Sequence, residues 1–167
     1  MTREQFISQV ESIRSAFRRF LAALCCGRTE LADDIAQESF VKAYLSIDTL
    51  SSPDKFESWV FRIGYNTFLS HKRSERPYAT YSEAINTPAA DRADAAFQYE
   101  DLYAALNSLS DRERTALLLF YLEDYSIKDI SEIIEASDDA VKQLLSRGRR
   151  HLRSLLVSPT PPNPLSH

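Results

Sequence analysis

Helix breakers are almost missing from this chain. Its 167 residues include three glycines and seven prolines, and four of the prolines lie beyond Val157. Gly and Pro are the residues that most disfavour helix interiors, so their scarcity before that point predicts an all-α fold. Hydrophobic residues make up 44% of the chain, enough to bury a core. The length suits one medium domain or two small ones.

Periodicity places the helices. Phe6, Val10, Ile13, Phe17, Phe20 and Leu24 are spaced by alternating fours and threes, which draws one apolar stripe along a first helix, and Gly27 is a plausible stop. A second helix runs from about Leu31 to Ile47, with Ile35, Phe40 and Tyr44 among its apolar residues. Ser51-Ser-Pro53 marks a loop, and a third helix follows from about Phe56 to Lys72, ending before Pro77. Residues 79–97 are small, polar and acidic without a sustained apolar period, and a linker is assigned over 79–100. A second unit then begins around Leu102, Leu106 and Leu109. Ser110-Asp-Arg-Glu113 has the capping-box pattern before the apolar run Ala116–Leu122, and Ser126 offers a similar start to a short helix through Ile134. Glu135-Ala-Ser137 reads as a tight connection, with Ser137 or Asp138 capping a last helix to about Leu156. The Pro-rich residues 157–167 read as a disordered tail. The expectation is two small helical domains, 1–78 and 101–156, joined by a flexible linker, the second containing a helix-turn-helix.

The net charge of −4 argues against a polyanionic partner only until its distribution is considered. Ten acids and three bases lie from Asp101 to Asp139, whereas from Ala140 onward there are five bases and no acid. On the last helix Val141, Leu144, Leu145, Gly148, Leu152, Leu155 and Leu156 form the apolar face. Lys142, Gln143, Ser146, Arg147, Arg149, Arg150 and Arg153 occupy the remainder. A short helix bracing a longer basic one suits the major groove: Gln143 and Arg147 fit base edges, and Arg149, Arg150 and Arg153 fit phosphates. The alternative is a solvated helix whose bases favour its C-terminal dipole.

In the third helix Phe56, Trp59, Phe61, Tyr65 and Phe68 alternate with Lys55, Arg62, Lys72, Arg73 and Arg76. Aromatics that stack on bases and cations that hold phosphates suit opened DNA, although the same aromatics fit a helix core. Asp34, Gln37 and Glu38 share one face of the second helix, with Glu30 a turn earlier; a solvated face, a protein contact and a carboxylate metal face all fit that spacing. His71, His151 and His167 lack partners in any catalytic motif, and the first two sit among basic residues, which suits phosphate contact or exposure. Adjacent Cys25 and Cys26 have no second ligand pair for zinc and read as partly buried thiols. No cofactor, metal or catalytic residue is expected. No apolar run approaches the roughly 20 residues of a membrane span, and the polar N-terminus does not resemble a signal peptide, so no membrane insertion and a cytoplasmic location are expected.

Together, DDIAQESFVKAY at 33–44, FESWVFRIGYN at 56–66 and SIKDISEIIEASDDAVKQLLSRGRRHLR at 126–153 resemble the bacterial sigma-70 family. The two-unit organisation resembles its extracytoplasmic-function (ECF) group. The resemblance implies a sigma factor without enzymatic activity that directs promoter recognition, DNA opening and transcription initiation. Core RNA polymerase and promoter DNA are the implied partners, and an anti-sigma factor is a further candidate. Residues 1–78 correspond to region 2 and 101–156 to region 4. The resemblance assigns core polymerase contact to Asp34, Gln37 and Glu38, and the downstream promoter element to Lys55, Arg62, Asn66, Lys72, Arg73 and Arg76, with Trp59 structural. Lys142, Gln143, Ser146, Arg147, Arg149, Arg150 and Arg153 fall on the upstream-element helix. A sigma-like regulator or interaction module that does not direct initiation is the alternative, and a helical enzyme a more distant one. The chain departs from the family pattern at Glu135, where Gly is usual, at Ser131, Asp139, Ala140 and Leu144, and at Gly148, where Ala is usual and Gly is expected to cost ~1 kcal/mol of helix stability.

Overall fold

A computed structural model describes residues 1–75 and 93–157. Among them are seven α-helices and no strand: α1 (Arg3–Leu24), α2 (Thr29–Leu45), α3 (Phe56–Glu75), α4 (Ala93–Asn107), α5 (Asp111–Leu117), α6 (Ile127–Ile134) and α7 (Asp138–Val157). Two single 3-10 turns, Ile47–Thr49 and Pro53–Lys55, lie between α2 and α3, and a π-helical turn, Leu118–Leu122, extends α5. Expectations for Arg76, for residues 79–92 and for the tail beyond Val157 lie outside the described residues. The helix α4 begins at Ala93, inside the segment read as linker, because alanines favour helix without supplying an apolar period.

The helix ends are set by local chemistry. Thr2 and Gln5 form a reciprocal capping box at α1. Ser110 and Glu113 do the same at α5. Ser126 Oγ accepts from the Asp129 N–H at α6, and Ser137, rather than Asp138, accepts from the Ala140 N–H at α7. At the end of α1 both Cys26 (φ +55°) and Gly27 (φ +88°) are left-handed, and the Gly27 N–H closes back on the Ala22 carbonyl at 2.9 Å.

In the first unit α1, α2 and α3 surround Phe17, which has no exposed surface. Its ring lies 5.2 Å from both Phe40 and Phe61, and a Cβ on Gly64 would come within 2.6 Å of it. Gly64 therefore exists to let an aromatic ring approach the α3 backbone. Gly64→Ala is expected to destabilise the protein by about 1–3 kcal/mol, because overpacking around a locked ring outweighs the gain in helix propensity. Urea denaturation measures this, and an unchanged or more stable variant would show that the ring has room to move.

Gly148 repeats the device in the second unit. A Cβ there would stand 2.8 Å from Leu117 Cδ1, so the glycine allows α7 to approach α5. Its expected propensity cost is offset by this close packing. Leu144, another departure from the family pattern, is buried in the core with Val141 and Leu145.

The two units pack on each other. Phe61 of α3 meets Tyr125 edge-on at 5.4 Å. The buried Arg114 guanidinium donates to the Leu24 carbonyl at 3.0 Å, and to the carbonyls of Leu106 and Leu109 and the carboxylate of Asp111. One apolar cluster runs through both units as a result.

Candidate nucleic-acid interface

Ile127–Ile134, the turn Glu135–Ser137 and Asp138–Val157 form a helix-turn-helix. The helix α6 buries Ile130, Ile133 and Ile134, which hold it against α5 and α7. Burial of Val141, Leu144, Leu145 and Gly148 fixes the roll of α7. The opposite face then exposes Lys142, Gln143, Ser146, Arg147, Arg149, Arg150 and Arg153, so all seven sequence candidates share solvent access on one helix. Arg149 donates to the Tyr121 hydroxyl at 3.1 Å. Lys142, Arg147, Arg150 and Arg153 have no ion pair among the described residues. Leu155 and Leu156, read as apolar-face residues, are exposed because α7 outruns its neighbours there.

The candidates around α3 divide differently. Phe56, Phe61, Tyr65 and Phe68 are core residues, so they are not available to stack on bases; Trp59 remains half-buried. Lys55, Ser58, Trp59, Arg62 and Asn66 line a cleft of about 500 Å³, with Glu132 and Ile133 of α6 on its other side. Lys55 Nζ is 3.5 Å from Glu132, and Arg62 is ion-paired to Glu135. Lys72 lies 3.9 Å from Asp111, and Arg73 donates to Ser70 Oγ at 3.3 Å. Spacing gave no sign of these acidic partners, because they belong to the other unit.

On α2, Asp34 and Gln37 are exposed. Glu38 is held by His71 at 2.9 Å and Lys42 at 3.2 Å, and the His71 hydrogen bond, followed by that of Lys42, keeps its carboxyl below the ordinary range. Val41, Tyr44 and Leu45 continue the exposed surface toward the end of the helix, and Leu45 is 77% exposed. Tyr44 therefore lies at the rim rather than within the core. Of the two histidines read as phosphate contacts or exposed, His71 is half-buried against Glu38, whereas His151 is exposed and lies 3.1 Å from Glu113. Burial pushes the Cys25 thiol up to about 12 and also raises that of Cys26, so neither is a poised nucleophile. Among the described residues no group of three or more metal-ligating side chains converges.

Comparisons with known proteins agree with this arrangement. The family model described as sigma-70 region 2 matches residues 10–78, and that of sigma-70, region 4 matches residues 99–152. The chain is 32% identical over 146 residues to the ECF RNA polymerase sigma factor SigW of Bacillus subtilis (strain 168), covering 78% of each protein. It is 30% identical over 146 residues to SigM of the same organism, covering 82% of this chain and 86% of that protein. Among solved structures, the sigma factor RpoE of Bartonella quintana, in complex with the anti-sigma factor NepR, superposes with a TM-score of 0.77 at 25% identity, covering 92% of this chain and 98% of that one. The chain belongs to the ECF group of the sigma-70 family of RNA polymerase sigma factors.

Proposed function

We propose that this chain grips promoter DNA at two points, with α7 reading the upstream element as duplex and the Lys55–Arg76 segment taking the downstream element as it opens. As a member of its family the chain directs RNA polymerase to promoters and to transcription initiation. The residue roles within that activity are proposed. The observation that carries it is the α7 face: seven polar or basic side chains exposed along a helix whose other face is anchored by Val141, Leu144 and Leu145. An exposed basic helix braced by a second helix has the geometry for a major groove. Asn66 and the cationic side chains lining the cleft suit the displaced strand.

The exposed Asp34 and Gln37 with neighbouring Val41, Tyr44 and Leu45 combine a polar rim with an apolar centre, which supports this face of α2 as the seat for core polymerase. The chain acts by binding alone: bases captured from the opened strand offset the cost of unpairing them. It works in the cytoplasm, and no described helix is long and apolar enough to cross a membrane. The RpoE relative, solved with an anti-sigma factor, supports a partner of that class here.

Run-off transcription with core polymerase on the host's genomic fragments tests the reading. A defined set of transcripts should appear only when this chain is added. The same transcripts from core polymerase alone would refute it.

A further inference from the structure

We infer that the chain masks its own downstream-element site, with the helix-turn-helix docked so that Glu132 and Glu135 occupy Lys55 and Arg62 in place of DNA phosphates. This rests on the assignment of those two cations to the downstream element. The acid-rich stretch before α7 supplies four carboxylates to four bases of the first unit: Asp111 to Lys72, Glu123 to Arg19, Glu132 to Lys55 and Glu135 to Arg62. Three of those four bases are downstream-element candidates. The acids are thus arrayed along the surface that a phosphate backbone would follow.

Glu135 is the most telling of these acids. It ends α6 in the left-handed region (φ 59°, ψ 55°), where glycine is the least strained residue. A side chain held there against backbone preference reaches across the unit boundary to Arg62. The helix α6 also walls the cleft lined by Lys55, Trp59, Arg62 and Asn66, so a strand cannot enter along that side while the units are closed. The α7 face stays exposed in the same state. The closed chain therefore presents its upstream reader and withholds its downstream one.

The closure is built to be reversible. The masking pairs join side chains that are 44–57% exposed, so salt and competing phosphates weaken them. At the centre of the contact the Tyr125 hydroxyl is buried with no hydrogen-bond partner among the described residues, a defect that opening repairs by hydration.

The test uses the full chain and a fluorescein-labelled single-stranded 20-mer of random sequence, with binding followed by anisotropy at fixed salt. A Glu132→Gln, Glu135→Gln variant is expected to bind about five-fold more tightly than a Glu4→Gln, Glu30→Gln control of equal charge, because unmasking raises the competent fraction. Tyr125→Phe, which removes the orphan hydroxyl and so favours closure, is expected to bind more weakly than wild type. Adding Lys55→Ala and Arg62→Ala to the unmasked variant should abolish its gain. If the unmasked variant merely equals its control while the two alanines still weaken binding, masking is wrong and the downstream assignment stands. If the alanines change nothing in the unmasked chain, the downstream assignment fails and the inference fails with it.

Discussion

Arg114→Met is expected to lose about 3–5 kcal/mol of folding stability, the range for removing one partner from a buried charged network. The Arg114 side chain is 3% exposed, and its guanidinium serves the carbonyls of Leu24, Leu106 and Leu109 and the Asp111 carboxylate. It also lies 5.9 Å from the centre of the Phe68 ring. Methionine keeps much of the volume, so a cavity does not dominate the effect. The loss comes from stranded acceptors: the Leu24 and Leu109 carbonyls lose the guanidinium, the Leu106 carbonyl is left with the Leu109 N–H at 3.1 Å, and among the described residues Asp111 keeps only Lys72 at 3.9 Å. Arg114→Lys should fall between, since a single ammonium does not reach acceptors spread around a planar fork. Because Leu24 belongs to α1 and the other partners to the second unit, the substitution also weakens the joint. Urea unfolding is expected to change from one transition toward two, the second unit melting first. A loss below about 1 kcal/mol with a single transition would contradict this role.

That joint is the part of the fold that the sequence conceals. The apolar stripe of α1 and the capping serines at 110, 126 and 137 are local signals, and each reappears in the structure where spacing puts it. So does the helix-turn-helix, since its turn is three residues long and its burial follows the helical period. The ion pairs between the units link residues 39, 73, 77 and 104 positions apart, and no window of periodicity spans those distances. The acids of the second unit therefore show in the sequence only as a local excess of negative charge, with no partner indicated for any of them. Gly148 was legible only in part for a related reason, and Gly64 drew no reading from the sequence at all. Sequence reveals the helix-propensity cost of a glycine, but the neighbour that needs its missing Cβ, Phe17 or Leu117, is set by tertiary packing. The candidate site was legible on α7, where charge and exposure coincide. It was less so on α3, where the aromatics marked a core and the candidate cations sit at its margin.

A double Arg147→Ala, Arg150→Ala substitution is expected to weaken upstream-element binding by about thirty-fold or more while leaving core polymerase association intact. Both side chains are exposed on α7 and have no ion pair among the described residues, so their loss leaves the packing of Val141, Leu144 and Leu145 untouched. Arg149 is less informative, being tied to the Tyr121 hydroxyl. A base-edge or phosphate contact by Arg contributes roughly 1–3 kcal/mol, and two such contacts correspond to that loss at about 1.4 kcal/mol per factor of ten. The salt dependence carries independent information. If one of the two arginines neutralises a phosphate, the slope of log affinity against log salt should become shallower by about one, and if both do, by about two. Core association should persist because the proposed core contacts, Asp34 and Gln37, lie on α2, in the other unit. The measurement is duplex binding with fragments recovered from run-off templates, alongside a pull-down of core polymerase. Promoter occupancy equal to wild type at every salt concentration would remove α7 as the upstream reader, whatever its resemblance to one.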